Sequence, residues 1–182
     1  AHSEDAVRRV VQTLEATFGE VTTVLGAGGD RDTTKRGPMA HAAAAHSRRV
    51  VITSDNPRSE SPEAIASTMR EALGPDVDVH TELDRSRAIA HALANAGTTG
   101  AVALLGKGHE TYQEADGVRV HFDDREEARR AAVARRMEVA SEQAPLVCGW
   151  SEERLAAEMG GVLLNRGPRR PLVGVVTDSR QV

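Results

Sequence analysis

Three short segments combine charged side chains with residues that restrict the backbone. The first, Asp55-Asn56-Pro57-Arg58, places a carboxylate, a carboxamide and a guanidinium within four residues. Pro57 fixes its own φ and holds Asn56 extended. An anion beside a forked cation suits a zwitterion, with Asp55 for an ammonium and Arg58 for a carboxylate. Asp-Asn-Pro is equally an ordinary turn sequence, and composition alone ranks the turn above the site. The second segment, Gly106-Lys107-Gly108-His109-Glu110, lacks the Gly-x-x-x-x-Gly-Lys-Ser/Thr pattern that cradles phosphates, and that pattern occurs nowhere in the chain. A lone histidine such as His109 is more often structural than catalytic. The third, Gly26-Ala27-Gly28-Gly29-Asp30-Arg31-Asp32, superficially resembles a dinucleotide fingerprint. Arg31 stands where the third glycine belongs, and two aspartates stand where a pyrophosphate would lie, so a dinucleotide site is disfavoured. Its competing reading is a tight turn in which Asp30 pairs with Arg31. The remaining histidines do not assemble a metal site, because His41 and His46 are five apart and face different sides of a helix.

Side chains on loops act only if a scaffold delivers them to one place. Residues 3 to 18 carry Ala6, Val7, Val10, Val11, Leu14 and Phe18 at helical spacing, with Ser3 and Asp5 suited to the first turn. A β-branched run at 21 to 25 empties into the glycine segment, and an alanine-rich helix is expected over 38 to 47. The alternation repeats: a strand at 49 to 53, then a helix capped by Ser61 with Pro62 at its first position. A short strand at 77 to 80, a helix at 84 to 96 and an apolar strand at 101 to 105 follow. This pattern predicts an α/β, Rossmann-like fold: a mostly parallel sheet with helices on both faces. Residues 118 to 122, behind Asp116-Gly117, alternate and are expected as an antiparallel edge strand. A long charged helix is expected over 123 to 142. In such sheets ligands lie beyond the carboxyl ends of the strands, where all three loaded segments fall.

Composition narrows the function classes. The chain has 182 residues, 40% hydrophobic and 27% charged, and no apolar run nears the ~18 residues of a membrane helix. A net charge of −4 and an aromatic content of 2% supply neither a basic field for phosphate backbones nor rings for unpaired bases, so no nucleic-acid partner is expected. The single cysteine, Cys148, excludes an internal disulfide framework, and the start AHSEDAVRRV has no signal-peptide pattern; a cytoplasmic compartment is the expectation.

Taken together, VLGAGGDRDTTKR at 24 to 36, TSDNPRSE at 53 to 60 and LLGKGHETYQ at 104 to 113 resemble the C-terminal domain of the Mur ligases. The resemblance is to the branch that adds meso-diaminopimelate to UDP-N-acetylmuramoyl-L-alanyl-D-glutamate in peptidoglycan synthesis. It runs from His2 to about Arg136. It implies an amino-acid site made of Arg31, Asp55, Asn56, Arg58, Gly106 and Glu110, in which the arginine of D-N-P-R meets the carboxylate that lysine lacks. His2 and Asp5 resemble the A-H-x-x-D stretch that approaches the nucleotide. The implied reaction is ATP-dependent: ATP phosphorylates the D-glutamate carboxylate, the incoming amine attacks the acyl phosphate, and an amide forms. ATP, Mg2+ and a carbamylated lysine belong to the family's central domain. No catalytic residue, cofactor or metal is therefore expected in this segment, whose partners would be small molecules and whose state would be monomeric. A nonenzymatic α/β regulatory domain would explain the fold but not the joint presence of D-N-P-R and G-K-G-H-E.

Composition changes after the long helix. WSEERLAAEMGG at 150 to 161 and VGVVTDSRQV at 173 to 182 are similar to the start of another Mur ligase, the one that adds D-alanyl-D-alanine, where T-D-S-R, with Ser179, lies by the UDP-sugar. The expected organisation is a first domain at 1 to 142, a linker at 143 to 149 and a truncated α+β tail at 150 to 182 opening a second domain. Both ends read as cut, so a longer parent that fuses two consecutive pathway enzymes is expected. With no phosphate loop present, residues 1 to 182 alone should neither hydrolyse ATP nor bind it tightly. Calorimetry showing micromolar ATP affinity would contradict this expectation.

Overall fold

The computed structural model describes residues 3–96, 100–140, 161–163 and 172–176, with side chains through residue 135. Helix α1 (Glu4–Phe18) leads into strand β1 (Val21–Ala27), a 3-10 turn at Thr33–Lys35, α2 (Arg36–Ala44), β2 (Arg49–Ser54) and α3 (Pro62–Glu71). Strand β3 (Val79–Thr81), α4 (Arg85–Asn95), β4 (Ala101–Leu105), β5 (Tyr112–Ala115), β6 (Val118–His121) and α5 (Asp124–Ala140) follow, then β7 (Gly161–Leu163) and β8 (Leu172–Val176).

Local sequence accounts for the helix starts. The hydroxyls of Ser3 and Ser61 accept from the backbone N–H of Ala6 and Ala64, and the Asp84 carboxylate accepts from Arg87. Each satisfies a donor that the first helical turn leaves orphaned. Helix α2 begins at Arg36 rather than at Pro38. Pro38 costs nothing there, because the N–H it lacks has no partner within a first turn.

The main sheet runs in the order β3-β2-β1-β4-β8-β7, parallel except that β7 pairs antiparallel with β8 at the edge. Every residue of β1 and β4 is buried, as both faces of a covered parallel sheet require. On one face Val7, Val11 and Leu14 of α1, Met39 of α2 and Ile65 and Met69 of α3 pack on Leu25, Ile52 and Leu105. On the other, Ile89 and Leu93 of α4 and Ala128 of α5 pack on Val24, Val51 and Leu104. One helix layer holds α1, α2 and α3 and the opposite one α4 and α5, and the sheet's carboxyl edge stays clear for loops.

The alternating run at 118 to 122 is not an edge strand of this sheet. Strand β6 pairs only with β5, in a separate antiparallel hairpin, and all four of its residues are exposed, Val118 at 63% and Val120 at 56%. The ladder that β6 forms is with β5, so its apolar face of Val118 and Val120 stays exposed instead of adding to the main sheet. The sheet's antiparallel edge is β7 instead. Strands β8 and β7 continue the sheet beyond β4, so the described parts of the tail join the first sheet. The helix expected after Ser151 lies outside the described residues.

One side chain ties the carboxyl edge together. Arg85, the first residue of α4, has a fully buried guanidinium. Its Nε and Nη2 donate to the two carboxylate oxygens of Asp124 at 2.7 and 2.6 Å, and Nη2 also donates to the Leu105 carbonyl at 3.1 Å. Nη1 lies 3.5 Å from the Ser54 carbonyl. The last residues of β2 and β4 are thereby joined to the first turns of α4 and α5. Asp124→Ala would leave Arg85 buried without its anion, which costs about 3–5 kcal/mol. Chemical denaturation should read that loss; a change below about 1 kcal/mol would mean the pair behaves like an exposed one.

Candidate functional site

Strand β1 delivers its glycines to a crowded place. A Cβ on Gly29 would stand 1.9 Å from the Pro57 carbonyl oxygen, and the Gly29 N–H donates to the Asn56 carbonyl at 2.9 Å. The glycines therefore serve close approach between two loops, not a pyrophosphate. Asp30 sits in the left-handed region at φ 51°. It does not pair with Arg31: its carboxylate accepts from the Ser59 hydroxyl at 2.7 Å and the Ser59 N–H at 3.3 Å. Those bonds hold the Asp30 carboxyl below its ordinary range. Arg31 follows as an exposed guanidinium whose Cγ lies over Gly28.

The loop after β2 carries the D-N-P-R residues in three different environments. Asp55 is buried, with its carboxylate 3.2 Å from Lys107 Nζ. Lys107 is fully buried, donates to the Tyr112 carbonyl at 2.6 Å and stands 5.5 Å from the Phe122 ring centroid. Asn56 is also buried; its Nδ2 donates to Glu110 at 2.7 Å and its Oδ1 accepts from the Glu114 N–H at 2.9 Å. Arg58 adopts φ 55°, a costly conformation for a long side chain. The hairpin holds it there, through Arg58 N–H to the Glu114 carbonyl at 3.1 Å and Asp116 N–H to the Arg58 carbonyl at 2.8 Å. Its Nη1 reaches across to the Gly29 carbonyl at 2.6 Å.

The loop after β4 turns at once. Gly106 has φ 102°, and a Cβ there would lie 2.1 Å from the Gly26 carbonyl oxygen, so no other residue fits without moving β1. The turn brings half-buried Glu110 to Asn56 on one side and to the Tyr112 hydroxyl at 3.2 Å on the other. His109 is exposed.

Asp55, Asn56, Arg58, Gly106 and Glu110 therefore converge at the carboxyl edge, and Arg31 stands on the loop laced to Arg58. Asp5 lies elsewhere, on an open hollow of about 500 Å³ shared with Ser3, Arg8, Asp32, Lys35 and Pro38, and pairs with Arg9 at 3.0 Å. His2 and Ser179 lie outside the described residues. Sequence reading assigned no role to Lys107, Glu60 or Arg36. Glu60 accepts from Arg36 Nη2 at 2.8 Å and from the Asp30 N–H at 2.6 Å, and the Arg36 guanidinium foremost holds its carboxyl below the ordinary range. Lys107 carried no sequence signal for burial, because its partner Asp55 lies 52 positions away. Strand β5, of mixed polarity as Tyr-Gln-Glu-Ala, carried no signal. Among the described residues no group of three or more His, Cys, Asp or Glu side chains could hold a metal ion, and no helix is long and apolar enough to cross a membrane.

Residues 1–108 match the family described as Mur ligase, glutamate ligase domain. The UDP-N-acetylmuramoyl-L-alanyl-D-glutamate--2,6-diaminopimelate ligase of Gloeobacter violaceus is 44% identical over 137 residues, 75% of this chain and 28% of that protein. The ligase of the same name from an Acidovorax species is 43% identical over 144 residues, 77% of this chain and 28% of the relative. A solved structure of a ligase of that name shares 40% identity at a TM-score of 0.71, covering 75% of this chain and 28% of its own. The chain thus spans little more than a quarter of the length of these relatives. With the three loaded loops on one sheet edge and well over half of the residues inside the family match, the chain belongs to the Mur ligase family through its glutamate ligase domain.

Proposed function

We propose that this chain is the amino-acid-positioning domain of an ATP-dependent ligase that joins meso-diaminopimelate to UDP-N-acetylmuramoyl-L-alanyl-D-glutamate. The observation that carries the reading is the cross-laced pair of loops presenting Arg31 and Arg58 beside the hydrogen-bonded Asn56 and Glu110. Cations and an anion at fixed spacing suit the carboxylate and ammonium of an amino-acid end. Asp55 spends its charge on Lys107, so Glu110 is the anion that faces the ammonium, and Asp55 supports the loop from beneath. Arg58 meets the carboxylate that distinguishes diaminopimelate from lysine. The named activity of the relatives supports the same substrate.

The residues described here do not fit ATP with Mg2+: they include no acidic metal cluster, and the chain has no phosphate loop. The nucleotide and its metal would be held by the part of the ligase outside this segment, with His2 and Asp5 approaching it. In the parent reaction the amine that this domain holds in place would attack the D-glutamyl acyl phosphate; a C–N bond replaces the acyl C–O bond, inorganic phosphate leaves and the amine gives up a proton. Holding the amine contributes through orientation, which can remove several kcal/mol from a barrier.

We also propose that 143 to 149 is a linker and that 150 to 182, whose strands β7 and β8 extend the first sheet in this structure, opens the UDP-sugar domain of a second, D-alanyl-D-alanine-adding ligase in the parent, with Ser179 beside the sugar nucleotide. The similarity of T-D-S-R and its preceding helix pattern supports this reading. Phosphate loops both upstream and downstream of this segment in one reading frame would establish it.

In the full-length ligase, Arg58→Ala should raise KM for meso-diaminopimelate strongly, since an unpaired carboxylate in a closed site costs about 2–5 kcal/mol. Steady-state kinetics with both amino acids tests the reading. Incorporation of L-lysine by the unaltered enzyme as efficiently as diaminopimelate would overturn the role of Arg58.

A further inference from the structure

The loops after β1 and β2 each present one arginine, and neither loop is held by its own sequence. Both place a residue other than glycine in the left-handed region, Asp30 at φ 51° and Arg58 at φ 55°. Such conformations persist only where surrounding contacts over-determine them. For Arg58 the hairpin supplies those contacts. For Asp30 they come from Ser59, and from Glu60, whose Oε1 accepts the Asp30 N–H at 2.6 Å. Glu60 is in turn gripped by Arg36, whose Nη2 lies 2.8 and 2.9 Å from its two carboxylate oxygens and 3.2 Å from the Gly28 carbonyl. The Arg36 side chain is only 6% exposed, and its Nε has no partner among the described residues, so Glu60 is the counter-charge on which its burial rests.

Arg31 is the next residue after Asp30. Its backbone direction is therefore set by an amide whose acceptor sits on the other arginine's loop. Resting on the assignment of Arg31 and Arg58 to the diaminopimelate site, we propose that Glu60, clamped by Arg36, is a positioning residue that fixes the spacing between the two guanidiniums. Glu60 touches neither substrate nor the reacting atoms; it acts through Arg31. Without the clamp, Asp30 relaxes out of its left-handed conformation and the Arg31 guanidinium swings away from the ligand.

The test is a double-mutant cycle in the full-length ligase, with kcat and KM for meso-diaminopimelate measured separately. Glu60→Gln keeps the side chain's shape but weakens its grip on Arg36. It should raise KM roughly tenfold, the size of effect expected from a small misplacement of a binding group, and leave kcat within about twofold. In an Arg31→Ala background the same substitution should change KM by less than about twofold, because the group it positions is gone. Arg36→Gln removes the cation that grips both Glu60 oxygens through Nη2, and carries the same cycle if Glu60→Gln fails to fold. A full tenfold effect that persists in the Arg31→Ala background, or no effect when Arg31 is intact, would overturn the role of Glu60. If Arg31→Ala and Arg58→Ala both leave KM unchanged, the site assignment itself fails, an outcome separate from the first two.

Discussion

Arg85 carries its guanidinium from the first turn of α4 into the interior, where it meets Asp124 of α5 and the terminal carbonyls of β2 and β4. Everything at the carboxyl edge is hung from these contacts. Taking such a charge out of water is costly, and burial works against it; the charge and hydrogen bonds of Asp124, joined by the Asp55 charge, together outweigh that cost and hold Arg85's pKa above its ordinary value. Exposed pairs such as Arg8 with Glu4, 42% and 48% exposed, contribute at most about 1 kcal/mol each and could be lost without consequence for the edge. Room for the guanidinium is made by Gly26, where a Cβ would lie 3.0 Å from Arg85 Nη1. A glycine that reads as a nucleotide motif is thus a packing requirement of a buried ion pair.

Above that layer lies a second one of the same kind. Lys107 and Asp55 neutralise each other inside the protein, and the Lys107 ammonium reaches the Tyr112 carbonyl, so the hairpin is anchored to the floor of the site. Asn56 is bonded from both ends of its amide. Buried polar groups satisfied in this way cannot turn without losing a partner, which costs about 1–3 kcal/mol for each group left unpaired. The floor is consequently rigid. Exposed Arg31 and half-buried Arg58 and Glu110 stand on loops whose mutual bonds replace the regular ladder that loops lack.

Much of this was legible in the sequence, and the reasons differ from element to element. Helical spacing in α1 and α4, the cap at Ser61, the β-branched run that opens β1 and the apolar run of β4 are local consequences of side-chain chemistry. They predicted the alternation of strand and helix, and with it the edge to which loops must be delivered. The hairpin was misread because alternation alone does not say what a strand pairs with. Strand β6 has a strand's periodicity, but its partner β5 has no apolar pattern, and the hairpin is placed by bonds of Glu114 and Asp116 to the Arg58 backbone and the Asn56 side chain that no periodicity encodes.

By itself the sequence determined the fold class and most of the element order, and its motifs singled out loop residues that the fold brings to one sheet edge, because these follow from local pattern read along the chain. Tertiary structure alone decided the role of each charge. Asp55, read as an open anion, is matched by Lys107 across 52 positions of sequence; Asp30 bonds Ser59 rather than its neighbour Arg31; Glu60 serves the loop that carries Arg31. Charges choose partners by distance in space and by the water they must give up. Neither quantity exists until the strands are side by side and their loops share one edge.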